Sequence, residues 1–113
     1  MNSNWKILES IEQLDLAIQH SAQRPVFLFK HSTRCSISSM AMNRLEKITD
    51  EVYAKADFYY LDLLKFREVS NAIAEKLQVH HESPQILLVK HGECTFDASH
   101  MEIDPKELKE QLD

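Results

Sequence analysis

Nowhere does this chain of 113 residues run apolar for the length that a membrane-spanning helix needs. Its start, MNSNWKILES, also lacks the basic end and apolar core of a secretory leader, so a cytoplasmic location is expected. Cations are in the minority, 13 Lys and Arg against 18 Asp and Glu, and they are not clustered. A net charge of −5 and a pI near 5.6 argue against a phosphate backbone or an anionic membrane as partner, since both need grouped Lys and Arg. Cysteine is scarce too: two residues cannot make a disulfide framework, and a reducing cytosol would disfavour a structural bridge. Each thiol therefore has to be read on its own.

What is present is ordinary for a globular domain. The hydrophobic fraction is 43% and the charged fraction 27%, and no segment is repeated or low in complexity. One domain over residues 1–113, with a single core, is the expected organisation.

Trp5 to Leu8 suits a short strand, and Ser10-Ile11-Glu12-Gln13 fits a capping box that starts a helix running to about Ala22. After Pro25, the continuous apolar run Val26 to Phe29 suits a central strand buried on both faces. Beyond Cys35, the positions Ile37, Met40, Ala41, Leu45, Ile48 and Val52 follow three- and four-residue spacing, which predicts one helix of four or more turns with that stripe on the sheet. Met40 and Met42 read as gap-filling or surface residues rather than ligands. Asp57 to Leu63 is the next strand, and Phe66, Val69, Ile73 and Leu77 mark one face of another helix. SPQILLVKHGECTF reads as a hairpin that turns at His91-Gly92, the only glycine taking the positive φ, and Asp104 with Pro105 opens a closing helix to about Leu112. Strand–helix–strand units followed by a hairpin and a helix, with right-handed crossovers, define an α/β fold: a mixed central sheet flanked by helices, in the layout of a thioredoxin-like domain.

In that layout Cys35 falls where a strand hands over to a helix N-terminus. Free peptide N–H groups and the positive end of the helix dipole there favour thiolate, the nucleophile of thiol–disulfide exchange, and Arg34 beside it helps. The polar neighbours Ser32, Thr33, Arg34, Ser36 and Ser38 speak against a buried, inert sulfur. Ser38 stands where a C-x-x-C motif carries its second thiol, so this site can capture a mixed disulfide but cannot expel it internally. Ser38 could donate a hydrogen bond to the Cys35 thiolate, though serine is also an ordinary residue in a first helical turn. Cys94 follows the hairpin turn, which puts it about 15 Å or more from Cys35 at ~3.3 Å per strand residue, beyond the reach of a bridge. The alternation Cys94, Phe96, Ala98 suggests a core-facing cysteine, and the same strand returns Ser99 and His100 toward Cys35. A cis Ser83-Pro84 bond would expose the backbone of Ser83 beside the sulfur to an extended peptide or thiol ligand.

At these residues the resemblance becomes specific. FLFKHSTRCSISSMAMNRLE, HHESPQILLVKHGE and SHMEID resemble, in order and spacing, the YtxJ family of monothiol bacilliredoxins, over nearly the whole chain from about Ile7 to Leu112. Members commonly read Thr-Cys-Pro-Ile-Ser at the active turn; this chain has Arg34-Cys35-Ser36-Ile37-Ser38, so Arg34 and Ser36 depart from the pattern. The resemblance implies a thioredoxin fold with cis-Pro84 beside Cys35, and removal of bacillithiol from S-bacillithiolated client proteins. Cys35 would attack the bacillithiol sulfur and carry bacillithiol as a mixed disulfide; a second bacillithiol, or a bacillithiol-disulfide reductase, would clear it. Bacillithiol is then a co-substrate, with no tightly bound cofactor. Its malate group carries two carboxylates, for which Lys30 and Arg34 are the candidate cations, with Ser83, Pro84 and His100 lining the ligand.

Two other classes compete. His31, His80, His81, His91, His100 and Cys94 are potential ligands for a metal or an iron–sulfur cluster, but none shows compact ligand spacing and no metal site is assigned. A non-enzymatic module that binds extended peptides at Pro84 would use the same fold without the thiol.

Overall fold

In the computed structural model, which describes residues 2–113, strands and helices alternate: β1 (Trp5–Ile7), α1 (Ile11–His20), β2 (Val26–His31), α2 (Ser36–Leu45), α3 (Asp50–Tyr53), β3 (Asp57–Asp62), α4 (Arg67–Leu77), β4 (Gln85–Lys90), β5 (Glu93–Ser99), a 3-10 turn (His100–Glu102) and α5 (Pro105–Leu112). The strands form one sheet in the order β1-β3-β2-β4-β5. β1 and β2 flank β3 in parallel; β4 runs antiparallel to β2, and β5 antiparallel to β4. This is the mixed sheet flanked by helices that the element order implies.

β2 is the central strand, and all six of its residues are buried. Strand alternation divides them: Phe27 and Phe29 enter a cluster with Ala41, Leu45, Phe58, Ile86 and Leu108, while Val26 and Leu28 enter one with Leu14, Ala17, Ile73 and Leu87. The core is therefore two layers, one on each face of the sheet. Each fully buried Leu or Phe contributes about 2 kcal/mol of transfer free energy. Because the side chains alternate, Lys30 points to the layer beneath α1 and α4, and His31 to the layer beneath α2.

Local signals account for the ends. The Ser10 hydroxyl accepts the Gln13 N–H at 3.1 Å, and Gln13 Oε1 reaches back past the cap to accept the Glu9 N–H at 2.7 Å, a variant of the capping box. The hairpin turns through His91 (φ 52°) and Gly92 (φ 80°), the pair of left-handed residues that a tight two-residue turn needs. Both N–H groups of the turn donate to Ser21, one to its carbonyl at 2.9 Å and one to its hydroxyl at 2.8 Å.

Two expectations fail. The apolar spacing from Ile37 to Val52 does not form one helix: α2 stops at Leu45 and α3 begins at Asp50. Thr49-Asp50-Glu51 explains the restart, since it puts a capping residue and two carboxylates at a helix N-terminus. Ile37 and Met40 are 41% and 48% exposed, and the face of α2 turned to the sheet is Ser38, Ala41 and Leu45. The second failure concerns Cys94, which does not share a face with Phe96 and Ala98. A bulge sets Leu88 opposite Phe96 but Val89 opposite Cys94, leaving Thr95 as the extra residue. Phe96 and Ala98 join the Phe27 layer, and Cys94 packs against the other.

Candidate active site

Cys35 is the N-cap of α2, half-buried, in extended conformation at φ −111° and ψ 121°. Its N–H donates to the Ser32 carbonyl at 3.2 Å and its carbonyl accepts from the Ser39 N–H at 3.0 Å, so a turn delivers the thiol directly onto the helix. The cysteine side chain makes no capping hydrogen bond. Its sulfur thus stands at the exposed end of α2, where peptide N–H groups lack intrahelical partners.

Ser38 faces away from this opening. It is fully buried, accepts the Ser32 N–H at 3.0 Å, and lies 2.7 Å from His31 Nδ1. No hydrogen bond joins it to Cys35 among the described residues. Burial pushes the His31 imidazole below its ordinary value, partly opposed by Asp62. On a neutral ring Nδ1 can accept the proton that the Ser38 hydroxyl has left to give. The ring packs against both Phe29 and Tyr60, with centroids at 5.8 and 5.6 Å. His31 was not among the site residues read from the sequence; as the residue at the end of a buried strand and seven before Ser38, it carried no distinguishing signal.

On the other face of β2, Lys30 is fully buried and its Nζ lies 3.1 Å from His81 Nδ1. Desolvation lowers the ammonium to about 8, against the pull of Asp97 and Glu82. Burial lowers His81 as well, and Lys30 adds to that effect. Lys30 was expected to meet the carboxylates of a ligand; in the structure it is enclosed, and its ammonium meets His81.

The Ser83-Pro84 bond is cis. Gln85 pairs with Lys30, so Pro84 lies at the level of the end of β2, at the same edge of the sheet as Cys35. The Pro84 carbonyl accepts the His100 N–H at 3.0 Å, and the His100 carbonyl accepts from Arg44 Nη2 at 2.8 Å. His100 therefore ties the proline loop to α2 through its backbone, while its ring lies 3.9 Å from Glu82. Ser83 is half-buried, and its own N–H and C=O make no intramolecular hydrogen bond among the described residues.

Arg34 is exposed and lines a hollow of about 390 Å³ with Thr33, Asp62, Lys65 and Arg67. Lys65 and Arg67 were missed by the sequence reading. They follow β3 in LLKFRE, and only the parallel pairing of β2 with β3 brings them beside Arg34.

Cys94 sits at the opposite end of the sheet. It pairs with Val89, which pairs with Val26 at the start of β2, about 16 Å along the strand from His31. Burial pushes its thiol up, and Sγ donates to the Phe96 carbonyl at 3.3 Å. Both cysteines are free. The described residues hold no group of three or more His, Cys, Asp and Glu side chains placed to bind a metal ion, and no helix is long and apolar enough to cross a membrane.

A lone cysteine at a helix N-terminus, a cis-proline at the same sheet edge and a buried serine in place of the second thiol define a monothiol site on a thioredoxin-like fold. Comparison with solved structures agrees on the fold. One whose name gives it a thioredoxin fold and only a conjectural oxidoreductase activity is 33% identical, covers 96% of this chain and 94% of its own, and superposes with a TM-score of 0.83. The thioredoxins of Malassezia sympodialis and Fasciola hepatica share the fold at 18% identity, with TM-scores of 0.76 and 0.71; they cover 99% and 95% of this chain and 90% and 95% of their own. The family model described as monothiol bacilliredoxin BrxC matches residues 6–108. The chain belongs to that family, and thiol–disulfide exchange is the chemistry its fold and relatives share.

Proposed function

We propose that the protein removes bacillithiol from S-bacillithiolated proteins in the cytosol by a one-cysteine route. The Cys35 thiolate attacks the bacillithiol sulfur of the client's mixed disulfide. The client–bacillithiol S–S bond breaks, the client leaves as thiolate, and a Cys35–bacillithiol disulfide forms. A second bacillithiol thiolate then attacks that adduct, releasing Cys35 and bacillithiol disulfide, which a separate reductase returns to the thiol.

The observation that carries this reading is the absence of a resolving thiol within reach: Ser38 is held inside by His31 and Ser32, and Cys94 lies at the far end of the sheet. The incoming thiol must come from solution. The two carboxylates of bacillithiol suit the Arg34, Lys65 and Arg67 hollow beside Cys35, which takes over the role first given to Lys30. The N–H and C=O of Ser83, unpaired among the described residues, are available to the cysteinyl amide of the thiol ligand, next to Pro84 and His100.

Intact-mass spectrometry after mixing reduced protein with an S-bacillithiolated client tests the route. Wild type and Cys94→Ser should each gain one bacillithiol, and Cys35→Ser none. Unmodified protein in all three, with the client still blocked, refutes it.

A further inference from the structure

At the opposite end of α2 from Cys35, a groove of about 380 Å³ opens between α2, α3 and the start of α5. Its floor is apolar, built on the buried side chains of Ile48 and Val52. Four cations stand around it: Arg44, Lys47, Lys106 and Lys109.

Arg44 is fixed in place. Its Nε donates to the Ile103 carbonyl and its Nη2 to the His100 carbonyl, both at 2.8 Å, so backbone oxygens hold the guanidinium without neutralising it. Among the described residues no carboxylate lies within ion-pair distance of Arg44, Lys47 or Lys106; Lys109 alone has one, Glu51 at 3.5 Å. Asp104, the one acid lining the groove, has an oxygen occupied in capping α5 through the Lys106 N–H at 3.0 Å. The result is a cationic rim over an apolar floor, on a chain whose net charge is −5.

We infer that this groove docks an acidic segment of a partner protein, one in which carboxylates flank an apolar side chain. On a chain of net charge −5 this rim attracts such a segment, which orients the encounter as well as holding it. The groove is open along one side, and so it suits a chain laid between two helices rather than a small molecule enclosed on most of its surface. Arg44 lies nine residues beyond Cys35 along α2, about 14 Å at 1.5 Å per residue. One interface of ordinary size spans both points, so a partner held here can present a sulfur to Cys35. Binding in the groove itself requires no thiol.

The test is a titration of isotope-labelled protein, followed by amide shifts, with the blocked peptide Glu-Leu-Glu-Phe-Glu. Two counterparts accompany it, one with every Glu replaced by Gln and one with Leu and Phe replaced by Ser. The first peptide should move the amides of Lys47, Thr49, Val52 and Lys106, and the counterparts should bind at least about tenfold more weakly. Lys47→Glu with Lys106→Glu, both at exposed positions, should weaken binding by a similar factor while the rest of the spectrum reports an intact fold; Cys35→Ser should bind as wild type does. Equal binding of the Ser counterpart, displacement of the peptide by inorganic phosphate alone, unchanged affinity in the double variant, or no shift at these amides would each overturn the assignment.

Discussion

The Ser38 hydroxyl lies 2.7 Å from His31 Nδ1, joining the first turn of α2, the helix that Cys35 caps, to the end of β2. The position that carries the second thiol in a two-cysteine site is here the anchor of the helix that presents the first. Serine is small enough to be enclosed, accepts the Ser32 N–H, and still has a proton for the imidazole.

Ser38→Ala should leave the buried Ser32 N–H and His31 Nδ1 without partners and cost about 2–3 kcal/mol in urea unfolding. Ser38→Cys places a thiol three residues from Cys35, inside the Cα separation a bridge tolerates. Oxidised Ser38→Cys protein should lose the two thiols to a disulfide by thiol titration, with Cys94 remaining free. A variant that keeps three titratable thiols after oxidation would show that the serine pocket does not admit the bridge.

Acid should weaken the fold through His31. Its folded value lies below the ordinary 6.5, so beneath that pH the unfolded chain binds a proton that the native state refuses. The His31 contribution to stability is complete above about pH 6.5 and is lost as the pH falls from there. His81 is shifted the same way and adds to the decline. Urea midpoints at pH 7.5, 6.5 and 5.5 should fall for wild type and fall less for His31→Gln; parallel curves would remove His31 as a cause.

Lys30 acts at the other end of the scale. The native state releases its proton near 8 and the unfolded chain near 10.5, so stability rises with pH across that interval. Lys30→Met has no such rise. The stability of Lys30→Met relative to wild type should therefore be about 3 kcal/mol more favourable at pH 7 than at pH 10.5, since each tenfold change in proton affinity is worth about 1.4 kcal/mol. A gap independent of pH would mean that the ammonium is solvated in the native state.

The Arg34 hollow should act on ligand capture rather than on the exchange step. Arg34→Ala and Arg67→Ala should each raise KM for an S-bacillithiolated client roughly two- to fivefold with kcat nearly unchanged, the scale of a partly screened charge contact. The effect should shrink with added salt. The same client carrying a cysteine adduct, which has one carboxylate, should be less affected. Equal losses on both adducts would place the two arginines outside ligand recognition.

The order of elements, the buried central strand, the two capped helices and the place of Cys35 at a strand-to-helix junction were all legible in the sequence. Each rests on contacts between residues near one another in the chain: strand and helix periods, caps, and a turn requiring positive φ. The missing second thiol was legible for the same reason, as a fixed spacing from Cys35 to Ser38. The division of α2 from α3 was hidden because Ala41, Leu45, Ile48 and Val52 keep helical spacing across the break. The reversal of Cys94 was hidden because a single bulged residue changes every face that follows, and bulges depend on the partner strand. Tertiary structure alone decided the fates of the polar residues. Lys30 and His31 are neighbours in the chain, yet alternation sends one to His81 and the other to Ser38, and parallel pairing brings Lys65 and Arg67, which follow β3, beside Arg34, which follows β2. A charge or hydroxyl has no periodicity of its own, and what it binds depends on which distant segment folding sets beside it.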